Sequence, residues 1–592
     1  MKFLQHFKGS KKFISNLRKV SFWLSLITVF LVVFDLGFRK SPQTATFLIT
    51  FYMYALMLGC ISIGLRYLLS EGRPGIKVRI IDLILLTLFL FLLFLKSGIL
   101  SDTVGLITFF NKKGWLYLAL FLYFTREFSS LKIDFNRQYL NPAQLFVASF
   151  LLIILLGTFL LLLPNATYTG ISLVDALFTS TSSVCVTGLI VVDTGSYFTP
   201  FGQNIILVLI QIGGIGIMTF ASYFSYFFRG QSSYEIQLTM KDMTNSEKIG
   251  EVFSVLKKII LITFIIEFIG AVLIFLSLDK NILTSIGDRI FFSVFHAISG
   301  FCNAGFSTLE NNLFEPEFRF NYPLHLIIAV LFILGGLGFP IVMNIIGYLK
   351  HLLVNRILPP SLKKIHIPWI ININTKIVIV TTSILLLLGT LFFYILEYNN
   401  TLYIHSEYGK IVTAFFGAAT PRTAGFNSVD TSALNFTTLM LIFLLMWIGA
   451  SPASTGGGIK TSTFAIATLN FISLAKGKNR IEIYRREIAD VSVRRSFAII
   501  SLSFLVIGMS IMLIVAFEPE QTLLKIAFES FSAYSTVGLS MGLTASLNDA
   551  SKMVLIATMF IGRVSMLTIL IALMRRVKHL NYKYPTEEIL IN

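Results

Sequence analysis

Ser535-Thr536-Val537-Gly538-Leu539-Ser540, near the C-terminus, sets how the rest of the chain is read. A Thr-x-Gly run in extended backbone can turn successive carbonyl oxygens toward a dehydrated cation. Gly serves where the backbone needs angles that a Cβ forbids. Thr536-Val537-Gly538-Leu539 alone is a common string, but three further stretches share its pattern: Val186-Thr187-Gly188-Leu189, Asn303-Ala304-Gly305-Phe306 and Thr423-Ala424-Gly425-Phe426. The four glycines are spaced 117, 120 and 113 residues apart, and a large apolar residue follows each. Each copy lies between two long apolar segments. One chain with four such quarters can surround an axis as four subunits would, with a potassium ion held at the backbone carbonyls. Four unrelated turn glycines would have to agree in motif, spacing and flanks by accident.

The composition suits that reading. The 592 residues are 55% hydrophobic with a mean hydropathy of +0.79, which describes a polytopic membrane protein rather than a soluble domain. The net charge of +18 sits mainly in short connections on alternate sides of the apolar segments. That is the positive-inside pattern, so membrane orientation accounts for the charge and no nucleic acid is expected as a partner. Three cysteines provide no disulfide framework. Cys185 and Cys302 each stand three residues before a repeat glycine, where small side chains can pack. The seven histidines show no metal-ligand spacing, and no His, Cys or carboxylate constellation suggests an enzyme.

Residues 1–130 form an expected N-terminal membrane extension of about four hydrophobic segments, near 20–38, 45–69, 79–99 and 103–125, the last interrupted by Lys112 and Lys113. The basic N-terminus is read as cytoplasmic and the first apolar run as a retained helix, since no small-residue cleavage site follows it. Four repeats come next, at 141–250, 251–365, 366–490 and 491–576, before a cytoplasmic tail at 577–592. Each repeat is read as an outer helix, a half-helix too short to span, a repeat stretch and an inner helix. The inner helices fall near 201–228, 322–350, 435–474 (broken) and 551–575. The fold class is therefore an all-α integral membrane protein with four membrane–pore-loop–membrane repeats around a pseudo-fourfold pore. Five residues past the first three glycines stand Asp193, Glu310 and Asp430, with Leu543 in the fourth place. They form either an acidic collar that concentrates cations at an outer mouth or ordinary solvated loop charge.

The third inner helix contains the run Gly449 to Thr463, including Gly456, Gly457, Gly458 and Lys460. No stable helix holds so many Gly, Ser and Pro residues in its middle. A loop at membrane depth must line a cavity or be buried in protein, and a loop under a filter is a natural gate. A phosphate-binding loop needs Gly directly before its Lys, and Ile459 stands there instead. Small residues recur in the inner helices at Gly213-Gly214, Gly335-Gly336, Gly449-Ala450 and Gly562, where Arg563 replaces the second small residue. Arg563 is expected to face the permeation path and raise a barrier there. The alternative is an ion pair with Glu267, Glu397 or Glu529.

These residues together resemble the Trk/Ktr/HKT superfamily of potassium transporters over about 141–576, and the run Ser451 to Thr463 looks like the bacterial KtrB/TrkH-type membrane subunit. The resemblance implies potassium uptake through a gated, selective pore, passive or sodium-assisted, with Gly188, Gly305, Gly425 and Gly538 as filter glycines. In plant relatives a Ser at the first of these positions accompanies sodium transport, so Gly188 argues for potassium. The run at Gly456–Gly458 would be the gating loop and Arg563 the pore-facing arginine. The resemblance further implies a homodimer in the bacterial inner membrane, seated on a cytosolic KtrA/TrkA-like ring. ATP, ADP or NAD would bind that separate regulatory subunit, with no cofactor in this chain. Residues 1–130 depart from the minimal pattern. A stand-alone cation channel and a sodium-conducting relative are the rival functions.

Overall fold

The computed structural model describes residues 11–69, 75–96, 113–130, 142–216, 252–357 and 371–573. They divide between a small N-terminal unit and a larger unit that carries the four glycine stretches.

The N-terminal unit contains α1 (Lys11–Gly37), α2 (Pro42–Leu69), α3 (Ile76–Lys96) and α4 (Lys113–Ser130). Tyr52, Phe89, Leu120 and Tyr123 are fully buried in its core. Arg66 pairs with Glu127 at 2.7 Å, and Arg126 pairs with Asp82. Placing each buried charge against its opposite offsets part of its desolvation. The described part of the fourth expected segment is the helix from Lys113; residues 103–112 of that segment lie outside the described residues.

The larger unit repeats a long helix, a short helix and an inner helix. The long helices are α5 (Pro142–Leu161), α8 (Val252–Ser277), α12 (Ile373–Glu397) and α16 (Asp490–Phe517). The short ones are α6 (Leu173–Val184), α9 (Ile286–Phe301), α13 (Glu407–Ala419) and α17 (Leu523–Ser535). Ser172 and Ser406 cap α6 and α13 by accepting from Asp175 N and Gly409 N. At 12 to 16 residues, the short helices cannot cross a bilayer. Among the described residues, six helices, α1, α2, α3, α8, α12 and α16, are long and apolar enough to do so.

The inner helices are more broken than their apolarity suggests. The span expected as one helix over 322–350 is α10 (Tyr322–Leu337) and α11 (Phe339–Ile357), bent by 103°. The span expected over 551–575 is α18 (Asp549–Val564) and α19 (Met566–Leu573), bent by 87°. The third is α14 (Phe436–Trp447) and α15 (Thr461–Ala475), broken where its Gly, Ser and Pro residues require. In the first, α7 (Pro200–Ile215) ends at Gly216; residues 217–228 of the expected helix lie outside the described residues. Gly216, Gly338 and Ser565 all take positive φ (+84°, +87° and +74°), which a right-handed helix cannot continue through. At the second break the cause is explicit. Pro340 has no N–H, and its ring would clash with the Gly336 carbonyl in a continuous helix.

Between α15 and α16 lies a small hairpin, β1 (Glu482–Ile483) and β2 (Arg486–Glu487). Its two turn residues, Tyr484 and Arg485, both have positive φ, the handedness that tight two-residue hairpins require.

Candidate functional site: a ring of four glycines beside a glycine-rich loop

Each short helix runs into its glycine stretch through the same backbone conformation. The second residue before each glycine and the glycine itself are both left-handed: Val186 and Gly188, Asn303 and Gly305, Thr423 and Gly425, Thr536 and Gly538. Four non-glycine residues in this sparsely populated region at matching positions are held there by their surroundings.

The four stretches meet in cyclic order. A Cβ on Gly188 would strike the Ala304 carbonyl oxygen, and one on Gly305 would lie 2.8 Å from Ala424 O. One on Gly425 would strike Val537 O, and one on Gly538 would strike Thr187 O. Each glycine thus faces the stretch that follows it in the chain, and the last faces the first. Only glycine fits, both for φ and for space.

A hydroxyl at the end of each short helix clamps the stretch behind it. Ser182 Oγ donates to Leu189 O at 2.7 Å and accepts from Gly188 N at 3.1 Å. Ser299 Oγ donates to Phe306 O at 2.7 Å, and Thr420 Oγ1 to Phe426 O at 2.6 Å. Ser532 Oγ accepts from Gly538 N at 3.1 Å. Sequence reasoning missed these four residues. Their signal was present as a Ser or Thr six residues before three of the glycines and five before Gly425.

On one side the ring opens into a cavity of about 560 Å³. All four glycines line it, as do Asp193, Glu310 and Asp430, so the three carboxylates do share one space with the ring. Asp193 also accepts from Ser196 N at 2.7 Å, and Asp430 from Ser432 N at 2.9 Å. Two of the three therefore also hold the turns that carry them. Leu543, in the fourth place, is buried, and its neighbours Gly542 and Thr544 line the cavity.

On the other side lies the loop between α14 and α15. A Cβ on Gly456 would collide with the Thr423 hydroxyl and one on Gly457 with the Thr536 hydroxyl, so the glycine run lies directly against two of the stretches. Lys460 folds back, and its Nζ donates to Gly456 O at 2.6 Å. The loop also occupies the break in the second inner helix. Ser451 N donates to Gly336 O at 2.9 Å, and Phe339 N donates to Ala453 O at 3.2 Å. The Gly336 carbonyl, which Pro340 leaves without a helical donor, is satisfied by the loop.

Arg563 joins the loop to the first inner helix. Its guanidinium donates to Thr455 O and, at 2.6 Å, to Gly213 O. The three carboxylates considered as ion-pair partners bond elsewhere. Glu267 accepts from Gln211 at 3.0 Å, Glu397 from Asn435 N at 2.9 Å, and Glu529 from Ser540 Oγ at 2.6 Å. Backbone carbonyls, rather than a carboxylate, therefore meet the charge. Cys185, Cys302 and the other packing positions stay small where helices touch; a Cβ on Gly214 would overlap Cys302 Sγ. Among the described residues, no group of three or more His, Cys, Asp or Glu side chains could hold a metal ion.

A helical, multi-pass membrane protein whose short helices lead into converging glycine stretches is the class these elements define. The model of the TrkH family, described as cation transport protein, matches residues 116–581, and the chain belongs to this family. Among its relatives, the potassium/sodium uptake protein NtpJ of Enterococcus hirae is 35% identical over 465 residues, covering 77% of this chain and 98% of that protein. The Ktr system potassium uptake protein B of Bacillus subtilis is 36% identical over 451 residues, covering 76% of this chain and 96% of that protein. The fold is similar to that of the potassium transporter TrkH from Vibrio parahaemolyticus, with a TM-score of 0.59 at 18% identity, covering 84% of this chain and 99% of that one.

Proposed function

We propose that this chain takes up potassium across the cell membrane, passively or with sodium, through a pore on the axis of the four glycine stretches. The observation that carries the reading is the cyclic closure of Gly188, Gly305, Gly425 and Gly538 beside an acid-bearing cavity. Paired left-handed residues in each stretch are the backbone geometry that can turn successive carbonyl oxygens to one side, where such oxygens can replace a potassium ion's hydration shell. Two relatives named for potassium uptake and potassium/sodium uptake support the choice of ion.

In this reading the chain forms four membrane–pore-loop–membrane repeats around a pseudo-fourfold pore. Val186–Leu189, Asn303–Phe306, Thr423–Phe426 and Thr536–Leu539 are the filter. Asp193, Glu310 and Asp430 raise cation concentration at its outer mouth. The loop at Gly456–Gly458, with Lys460 and Arg563, is the gate, and its two cationic side chains hold the loop by its own carbonyls. The protein lies in a bacterial inner membrane with its N-terminus inside, as a homodimer on a cytosolic ring that binds ATP, ADP or NAD.

Rubidium uptake into proteoliposomes holding the purified chain tests the reading. Block by excess potassium and not by sodium is the expected result. Equal block by sodium favours a sodium-conducting pore, the variant that the name of the Enterococcus hirae relative raises. No uptake, even with a nucleotide-loaded ring added, overturns the function.

A further inference from the structure

The position three residues before each glycine is small in three of the four stretches: Cys185, Cys302 and Ser535. In the third it is Arg422. Arg422 is only 9% exposed. Its Nη2 makes one long hydrogen bond, 3.5 Å to Gly449 O, and its Nε has no partner. The ion pairs among the described residues do not include it. A buried cation without a counter-charge is strongly unfavourable, more so next to a path for cations.

Beside it is a cavity of about 20 Å³, lined by Arg422, Thr382, Gly336, Ala450 and apolar side chains including Phe332 and Leu386. The Thr382 hydroxyl is buried and also without a partner. Two unrelated elements, α12 and the end of α13, therefore bring one unpartnered hydroxyl and one guanidinium with an unpartnered Nε to the same small space. The cavity exceeds the roughly 10–15 Å³ that holds one water, but it is far too small for a lipid headgroup or a carboxylate metabolite. Thr382 is the tenth residue of the 25-residue α12, which places the cavity deep in the bilayer, out of reach of lipid phosphates. Water would supply hydrogen bonds but no charge.

We propose that Arg422 and Thr382 bind one small monovalent anion of halide size, which neutralises the guanidinium behind the third glycine stretch. The anion accepts from Arg422 Nε and Thr382 Oγ1. With the arginine neutralised, the carbonyls of Thr423 and Ala424 keep their full attraction for a cation. The site stands whichever ion the protein carries, because its occupancy is read without transport.

The test uses the full chain in detergent, with chloride, bromide or gluconate as the only anion. Crystals grown in bromide should show an anomalous peak within hydrogen-bonding distance of Arg422 and Thr382. The thermal midpoint should rise with chloride and not with gluconate. Thr382→Val, which removes one donor and leaves the packing, should raise the chloride concentration needed for that rise about tenfold. Arg422→Met should abolish the rise. Water density with no bromide signal, or a chloride response unchanged in Thr382→Val, overturns the proposal.

Discussion

Thr455 Oγ1 donates to Asn303 Oδ1 at 2.8 Å, which ties the loop between α14 and α15 to the second glycine stretch. The Asn303 amide also donates to Thr423 Oγ1 at 3.3 Å, and the Thr455 carbonyl accepts from Arg563. One hydrogen-bonded chain therefore joins two stretches, the loop and the last inner helix. Asn303 stands where the other stretches have Val186, Thr423 and Thr536, and it alone carries both a donor and an acceptor on a planar amide.

This contact predicts non-additive mutants. Thr455→Val and Asn303→Ala should each raise rubidium flux in the absence of any nucleotide partner, because the loop loses a tether. The double variant should leak no more than the stronger single one, a coupling of about 1 kcal/mol. Independent, additive effects would show that the contact does not hold the loop.

Arg563→Gln should also raise basal flux several-fold. It removes the positive charge and weakens the bonds to Thr455 O and Gly213 O. Arg563→Lys keeps the charge but cannot span both carbonyls in a fork. If charge is the barrier, Lys behaves as the native protein does; if tethering is, Lys leaks like Gln. Initial rates of rubidium uptake distinguish the two, and native rates in both variants would remove Arg563 from the gate.

Gly188→Ser adds a side chain where a Cβ would strike Ala304 O and where φ is +88°. The carbonyls of the first two stretches must move apart. Discrimination of potassium over sodium should fall about tenfold, roughly 1.4 kcal/mol, in competition against rubidium. Unchanged selectivity would take Gly188 out of the filter.

Deleting Gly456–Gly458 should leave flux that no longer responds to a nucleotide-bound partner, since the deleted residues lie against Thr423 and Thr536. Normal flux with a normal nucleotide response would mean that the gate lies elsewhere.

His405, in the connection between α12 and α13, gives a pH dependence. Burial, and next to it the Arg319 guanidinium, lower its pKa below the ordinary imidazole value. Below about pH 6.5 the unfolded chain binds a proton that the folded chain resists. The contribution of this group is therefore present above that pH and is lost as pH falls through it. Its Nδ1 contact with Tyr322 OH, at 3.2 Å, links the connection to α10. The thermal midpoint should drop on acidification to about pH 5, and His405→Gln should lessen the drop. An equal drop in both proteins would assign it to other groups.

Much of this arrangement was legible along the chain. The glycine stretches, the short helices before them and the broken third inner helix each follow from a local residue pattern. The clamp hydroxyls Ser182, Ser299, Thr420 and Ser532 were legible too, but only once their partners were known, because a Ser or Thr near a helix end has many ordinary uses. The break in the second inner helix had its cause in Gly338 and Pro340. The break at Ser565 had none, since a serine at positive φ gives no sign in an apolar run.

Periodicity, spacing and side-chain chemistry act over a few residues, so the chain alone could specify four equivalent units and the one loop that departs from them. Which carbonyl each glycine meets, that the loop takes up the acceptor left by Pro340, and that Arg563 is held by carbonyls instead of a glutamate depend on residues more than a hundred positions apart. Arg422 and Thr382 also meet only in the folded protein, forty residues apart and joined by a cavity. Tertiary packing decides these because hydrogen bonding and close approach have ranges of a few ångströms, and no local pattern reports what a distant segment brings within them.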